Sequence, residues 1–275
     1  MTPTRPSALR AEFATFFALF SRGLRSNFAY RPALLLAMLS AALSYAVPML
    51  VWRHIYASGG GSKAVPAQAL FPYLLLAGCL NFGFAMNVES RIGQRIRMGL
   101  IATDLLRPVD FQMAQLSQAL SDGIANLAFV LPVFGVACAF WGKSAFPHDA
   151  AAFFAFCASV LLAFVILFAV SFIFVQATFI TYSSYGVFVA RNALQQTFSG
   201  MSAPLALFPA GLRAASEWLP FRHTIHTPVS IYLGWINGSA VWAALGAQLI
   251  WALGLLLVGR YMLRVSLLKF EIQGG

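Results

Sequence analysis

Residues 89–115 read ESRIGQRIRMGLIATDLLRPVDFQMAQ, and this polar island decides the fold because apolar runs of membrane-spanning length flank it on both sides. It carries Glu89, Arg91, Arg95, Arg97, Asp104, Arg107 and Asp110. A stretch so dense in charge is expected to stay out of hydrocarbon. Ser90 is placed to cap a helix in which Ile92, Ile96 and Gly99 share one side while Arg91, Arg95 and Arg97 fall elsewhere. The first part therefore reads as a short surface helix, and Pro108 interrupts the run that follows. Two readings stand at this point. The island is either a docking element through which a soluble partner drives the membrane part, or a solvated loop whose arginines only set orientation.

The composition around the island limits the class of protein. The 275 residues are 60% hydrophobic and 9% charged, with mean hydropathy +0.77. That is too apolar for a soluble domain and implies several membrane spans. The net charge of +10 does not point to nucleic acid, because the basic residues are scattered at span ends and do not gather on one soluble face. Cys79, Cys138 and Cys157 are isolated within apolar runs, which suits packing and neither a disulfide framework nor a metal site. No short apolar stretch with a small-residue cleavage site precedes the first long run, so no cleaved signal peptide is expected.

Residues 1–31 form a tail that becomes amphipathic. Leu9, Phe13, Phe16, Phe17, Phe20 and Leu24 occupy one helical stripe, with Glu12, Thr15, Arg22, Arg25 and Ser26 opposite. Such a helix should lie flat among membrane lipid headgroups, with Arg10, Arg22 and Arg25 facing an anionic cytoplasmic leaflet. Residues 32–275 then read as one all-α transmembrane domain with six spans, at 33–52, 67–88, 118–141, 151–179, 184–208 and 240–262. The runs are continuous and not alternating, which favours helices over a β-barrel. Of the 18 Lys and Arg, thirteen fall on the side of the N-terminus and five on the other. That excess predicts that both termini and the segment 89–117 are cytoplasmic.

The outer connection 209–238, PAGLRAASEWLPFRHTIHTPVSIYLGWING, is too polar to span and too aromatic for a free loop. Leu212, Ala215, Ser216 and Leu219 at helical spacing, then Pro220, predict two short helices in a re-entrant hairpin that caps the bundle. Trp218, Phe221, Tyr232 and Trp235 are interface anchors by type. An ordinary outer loop is the alternative.

The chemistry is sparse. The nearest approach to a nucleotide-binding loop, GGGSK at 59–63, has Ser where Gly must precede Lys and reads as a flexible turn. No G-x-S-x-G nucleophile pattern occurs. His223 and His226 lack a neighbouring carboxylate or Cys and read as interface residues and not as metal ligands. No carboxylate falls near a span centre. Asp122, at the inner edge of span three, is expected to meet water or Arg107, and Arg191 in span five to snorkel or face a wet cavity. A transporter-like chain with no ion-coupling carboxylate and no nucleotide site needs an external energy source, or else is a passive channel or scaffold.

The residue order itself is distinctive. The amphipathic helix followed by Arg31-Pro32, GLIATDLLRPVDFQ at 99–112, FSGMSAPLALFPAGLRAASEWLPFRHTIHTPVSIYLG at 198–234 and LLVGRYMLRVSLLKFEIQGG at 256–275 together resemble the permease subunit of an ABC-2 type ABC transporter. The branch it resembles is bacterial, with six spans, an elbow helix and no fused ATPase. The resemblance implies that a coupling helix after span two fits a cleft on a nucleotide-binding subunit, a role falling to Arg91, Arg95, Ile96, Arg97, Asp104, Arg107 and Asp110. It implies a second permease, identical or related, and a central path lined by spans one, two and five. Ser199, Gly200, Pro204, Phe208 and Pro209 would form the outer gate, joined by Trp218, Pro220 and Phe221 of the hairpin. It further implies ATP and Mg on the partner ATPase and export across a bacterial cytoplasmic membrane. The Phe-rich spans favour a hydrophobic or amphipathic cargo.

Overall fold

The computed structural model describes residues 8–29, 31–61, 65–106, 109–141, 149–181 and 184–268. Helices α1 (Ala8–Ala29) and α2 (Arg31–Ala57) precede α3 (Ala67–Gly83) and α4 (Val88–Arg97). A short α5 (Ile101–Leu105) leads to α6 (Phe111–Trp141), α7 (Ala150–Val175), α8 (Thr178–Thr181) and α9 (Ser184–Phe198). Two 3-10 turns, Leu205–Leu207 and Pro220–His223, flank α10 (Ala210–Glu217), and α11 (His226–Tyr232) and α12 (Ser239–Leu268) follow. No strand occurs among the described residues. Among them, three helical stretches are long and apolar enough to cross a membrane, namely Ala67–Arg97, Ala150–Val175 and Ser239–Leu267.

Helix α7 is the axis of the bundle. Its sequence is apolar all round, and such a helix must be surrounded. Phe164, Ile166, Phe168, Ala169 and Phe172 are all buried, and α12, α11, α4 and α9 pack around it. Asp149 starts α7 by accepting a bond from the Ala152 amide at 2.6 Å, a standard N-cap. Helix α12 lies along α7. Gln248 ties the two, donating to the carbonyl of Ser159 at 3.2 Å and accepting from the Ser159 hydroxyl at 2.8 Å.

Helix α1 is strapped to α6. The hydroxyls of Ser117 and Ser121 donate to the carbonyls of Phe16 and Phe20 at 2.8 and 2.9 Å. The helices come this close at Gly23, where a Cβ would lie 2.6 Å from the Ser121 oxygen. Phe13 and Phe17 remain exposed, whereas Phe16 of the same expected stripe packs against the core.

Three boundaries differ from the sequence reading. The second span ends early: α3 stops at Gly83, and α4, the helix expected within the island, starts at Val88 after a break. The break is sealed where Asn126 on α6 donates to the freed carbonyl of Ala85 at 2.8 Å, and Phe84 and Met86 fill the core beneath it. Such a break is tolerated when neighbouring helices satisfy the backbone. Span three begins earlier than expected, at Phe111 within the island, because Asp110 accepts the Met113 amide at 2.9 Å. The expected fifth span ends early: α9 has 15 residues and stops at Phe198, short of the roughly 20 that a bilayer core requires. Gly200 at φ 77°, Pro204 and Pro209 prevent the helix from continuing.

Candidate functional site

The island folds into a corner made of α4, α5 and the start of α6. The N-cap of α4 is Asn87 and not the expected Ser90, which lies inside the helix. Nor does Gly99 share the helical stripe of Ile92 and Ile96. It lies past the helix end at φ 67°, where the Gly99 amide bonds the Ile96 carbonyl at 3.1 Å and the Leu100 amide bonds the Arg95 carbonyl at 2.9 Å. This is a Schellman termination, which needs a left-handed residue at that position. The corner therefore turns at a defined place, and its tip exposes Met98 (68%), Leu100 (41%) and Leu106 (85%).

The other face of α4 is buried against α7 and α9. Ile92, Gly93 and Ile96 line it. A Cβ on Gly93 would overlap the Ser184 Cβ, so glycine sets how closely α4 crosses the start of α9. Arg97 donates to the Ser184 hydroxyl at 2.7 Å across the same crossing.

The charges of the island turn inward. Arg191, expected to snorkel or face a wet cavity, donates from Nε to Oε1 of Glu89 at 2.8 Å, with the Glu89 side chain fully buried. Part of the island is thus buried within the protein itself, where pairing compensates the burial. Asp122 meets Arg91 Nη1 at 2.9 Å, a partner the sequence did not point to. Arg95 forms a two-bond pair with Asp104, and Arg260 on α12 pairs with Asp110. Arg107 lies outside the described residues. Thus Arg91, Arg95, Asp104 and Asp110 hold the corner's shape, Ile96 is core, and Arg97 bridges to α9.

At the opposite end of α3, residues 199–238 form a cap. Tyr73 on α3 donates to the Gly200 carbonyl at 2.7 Å, and its ring stacks on Trp235 with centroids 5.3 Å apart. The Trp52 indole on α2 donates to the Ser202 carbonyl at 3.2 Å. The His226 amide bonds the Ser199 carbonyl at 3.0 Å, and Gln195 donates to Thr224 at 2.8 Å. Ser199, Gly200, Pro204, Pro220 and Phe221 are buried in this junction, Phe208 is half-buried, and Pro209 and Trp218 are exposed. Of the four expected interface aromatics, Phe221 and Tyr232 belong to the core. Phe221 packs on Phe198 and Tyr232 packs on Phe156, so the hairpin folds against the bundle with those rings inward.

His223 and His226 also point into the protein. His223 Nδ1 lies 3.2 Å from the Thr227 hydroxyl, and His226 Nδ1 lies 3.2 Å from the Tyr73 hydroxyl. Burial, and then the neighbouring Arg222 charge, lowers both imidazoles to about 4, so both are neutral at pH 7. Among the described residues, no group of three His, Cys, Asp or Glu could hold a metal ion. Sequence reasoning passed over Tyr73, Trp52 and Gln248. Their signal was a lone polar handle inside an apolar helix, where a hydrogen-bond partner must be found.

A family model described as ABC-2 family transporter protein matches residues 35–274. No curated protein and no solved structure matches the chain.

Proposed function

The chain belongs to the ABC-2 family of transporter proteins, a permease component of an ABC transporter, and from that premise we propose that it exports a hydrophobic or amphipathic substrate across a bacterial cytoplasmic membrane. Six membrane segments carry it, the fifth made of the 15-residue α9 and the residues 199–208 that follow it, with both termini inside. Separate ATPase subunits, which hold ATP and Mg, dock below, and a second permease, identical or related, completes the path. The outer hairpin is the gate, with Ser199 to Pro209 at its hinge and Trp218 at the lipid boundary.

The observation that carries this reading is the corner at Met98 to Leu106. A solvated loop has no reason to pair Arg91 and Arg95 with carboxylates of the chain while leaving three large apolar side chains at its tip. A docking knob needs both features: a rigid base and a desolvatable contact surface. The coupling segment therefore divides its labour. Arg91, Arg95, Asp104 and Asp110 stiffen it, Ile96 and Arg97 join it to α7 and α9, and Met98, Leu100 and Leu106 enter the ATPase cleft. Because α4 crosses α9 at Gly93, a push on the knob moves the helix that leads directly into the gate. ATP-driven closure of the partners can then bias the cavity toward its outward state, provided the corner contacts the two ATPase states differently.

The test is co-purification. Leu100→Asp/Leu106→Asp, both at exposed positions, should insert and melt like wild type yet lose the ATPase subunit and ATP-dependent export. Normal ATPase retention and export by that variant would refute the docking role.

A further inference from the structure

Beyond the docking corner, a second site opens between α1, the α3–α4 break and α6. It is a cavity of about 580 Å³, within the range of roughly 300–1,000 Å³ typical of small-molecule sites. Of its ten lining residues, Ala85 alone lacks a polar side chain. Transport docking does not account for such a lining. A polar chamber of this size beside membrane-buried helices has to be occupied, by water or by something polar enough to replace it.

The chemistry of the walls is dipolar and neutral overall. Arg91 supplies one positive charge and Asp122 one negative charge. Asn27, Asn87, Gln94 and Gln118 supply amides, each offering donors and an acceptor. Arg91 is not saturated. Its Nε donates to Gln115 and its Nη1 to Asp122, but its Nη2 is buried with no hydrogen-bond partner. An isolated anion would meet the Asp122 carboxylate, and an isolated cation would meet the Arg91 guanidinium. A molecule carrying both signs a few atoms apart suits both.

One wall points to the source of that molecule. Ser26 and Asn27 belong to α1, which also exposes Phe13, Phe17 and Phe28. Next to the polar lining, Phe28 and Ile124 are exposed, and Phe28 packs against Phe129 on α6 at 5.5 Å. Polar chamber and bare apolar surface thus adjoin, as a headgroup and its acyl chains would require. We propose that this cavity binds the headgroup of a zwitterionic, amine-bearing phospholipid, with the phosphate at Arg91 and the ammonium at Asp122. The site rests on α1 lying at the level of the inner headgroups, and it does not depend on ATPase docking.

Purified full-length protein in nanodiscs is titrated with phosphatidylethanolamine, phosphatidylglycerol or diacylglycerol, and bound lipid is counted by native mass spectrometry. Wild type should retain phosphatidylethanolamine about tenfold more tightly than either of the others, the difference made by one good charged contact. Asp122→Asn, which keeps the shape of the side chain and removes the charge facing the ammonium, should erase that preference. Equal retention of the three lipids, a preference for phosphatidylglycerol, or a preference that survives in the variant would each overturn the site. Free glycerophosphoethanolamine should fail to compete at lipid-equivalent concentration, and competition at parity would overturn the lipid as occupant. Equal retention of the three lipids by wild type, with the ATPase lost from Leu100→Asp/Leu106→Asp, refutes this site alone, whereas a wild-type lipid preference with the ATPase retained by Leu100→Asp/Leu106→Asp refutes the docking corner alone.

Discussion

Arg191 and Glu89 stand 102 residues apart in the chain and meet as a buried ion pair, Nε to Oε1 at 2.8 Å. Arg191 is 6% exposed and Glu89 is not exposed at all. The pair fastens the first turn of α4 to the middle of α9, so the corner and the helix leading to the hairpin move as one piece. Glu89 Oε2 remains without a hydrogen-bond partner, a cost that a purely structural clamp would avoid by using apolar residues.

Removing one charge should cost far more than removing both. Arg191→Met alone leaves a buried carboxylate and is expected to destabilise by about 3–5 kcal/mol, whereas Arg191→Met/Glu89→Met should recover most of that loss. Thermal melting in nanodiscs measures the first effect, and ATP-driven export measures what the double variant still lacks. Additive losses in stability would show that the two residues do not act as a pair.

Gly93 should tolerate no side chain while Ser184 keeps its own. Gly93→Ala is expected to force α4 away from α9 and lower the melting temperature. Adding Ser184→Gly should restore part of the loss, since the Ser184 Cα would then be the nearest atom at 3.5 Å, an ordinary contact. The rescue is incomplete because the bond from Arg97 disappears, at about 1 kcal/mol.

Tyr73→Phe should loosen the hairpin without unfolding the bundle. It removes the donor to the buried Gly200 carbonyl at a cost of about 1–3 kcal/mol, and hydrogen exchange at 199–204 should accelerate. Protection equal to wild type would mean that the Trp235 stack alone holds the cap.

Stability of the hairpin should fall with acid. His223 and His226 titrate near 4 in the folded protein against an ordinary 6.5, so between those values the unfolded chain binds more protons than the folded one. Their contribution is complete above about pH 6.5, declines as pH falls toward 4, and levels off below. A melting profile from pH 8 to pH 4 should show that decline, and His223→Gln/His226→Gln should flatten it.

Much of this architecture is legible along the chain because it rests on local properties. The apolar run of α7, the stripe of α1 and the break at Pro220 each follow from residues within a few turns of one another. The island shows where such reading stops. Its charge density implies solvent, but the fate of Glu89 depends on Arg191 and that of Arg91 on Asp122, partners supplied by other helices. The pairs draw Arg91 and Arg95 toward carboxylates, so the exposed corner carries, beside Arg97 and Thr103, the apolar side chains of Met98, Leu100 and Leu106 that composition alone would assign to a core. The break between α3 and α4 is hidden for a related reason. No Pro marks it, and its carbonyl is satisfied by Asn126 from α6.

At Ser117 and Ser121 the strap between α1 and α6 is made to peptide carbonyls, those of Phe16 and Phe20, and only toward the end of α1 do the side chains of Asn27 and Phe28 meet Asp122 and Phe129. Over the earlier turns, attachment and surface chemistry are thereby uncoupled. The outward residues of α1 are free to be exchanged for others suited to a thicker, thinner or differently charged bilayer, and the latch to Ser117 and Ser121 will not register the change.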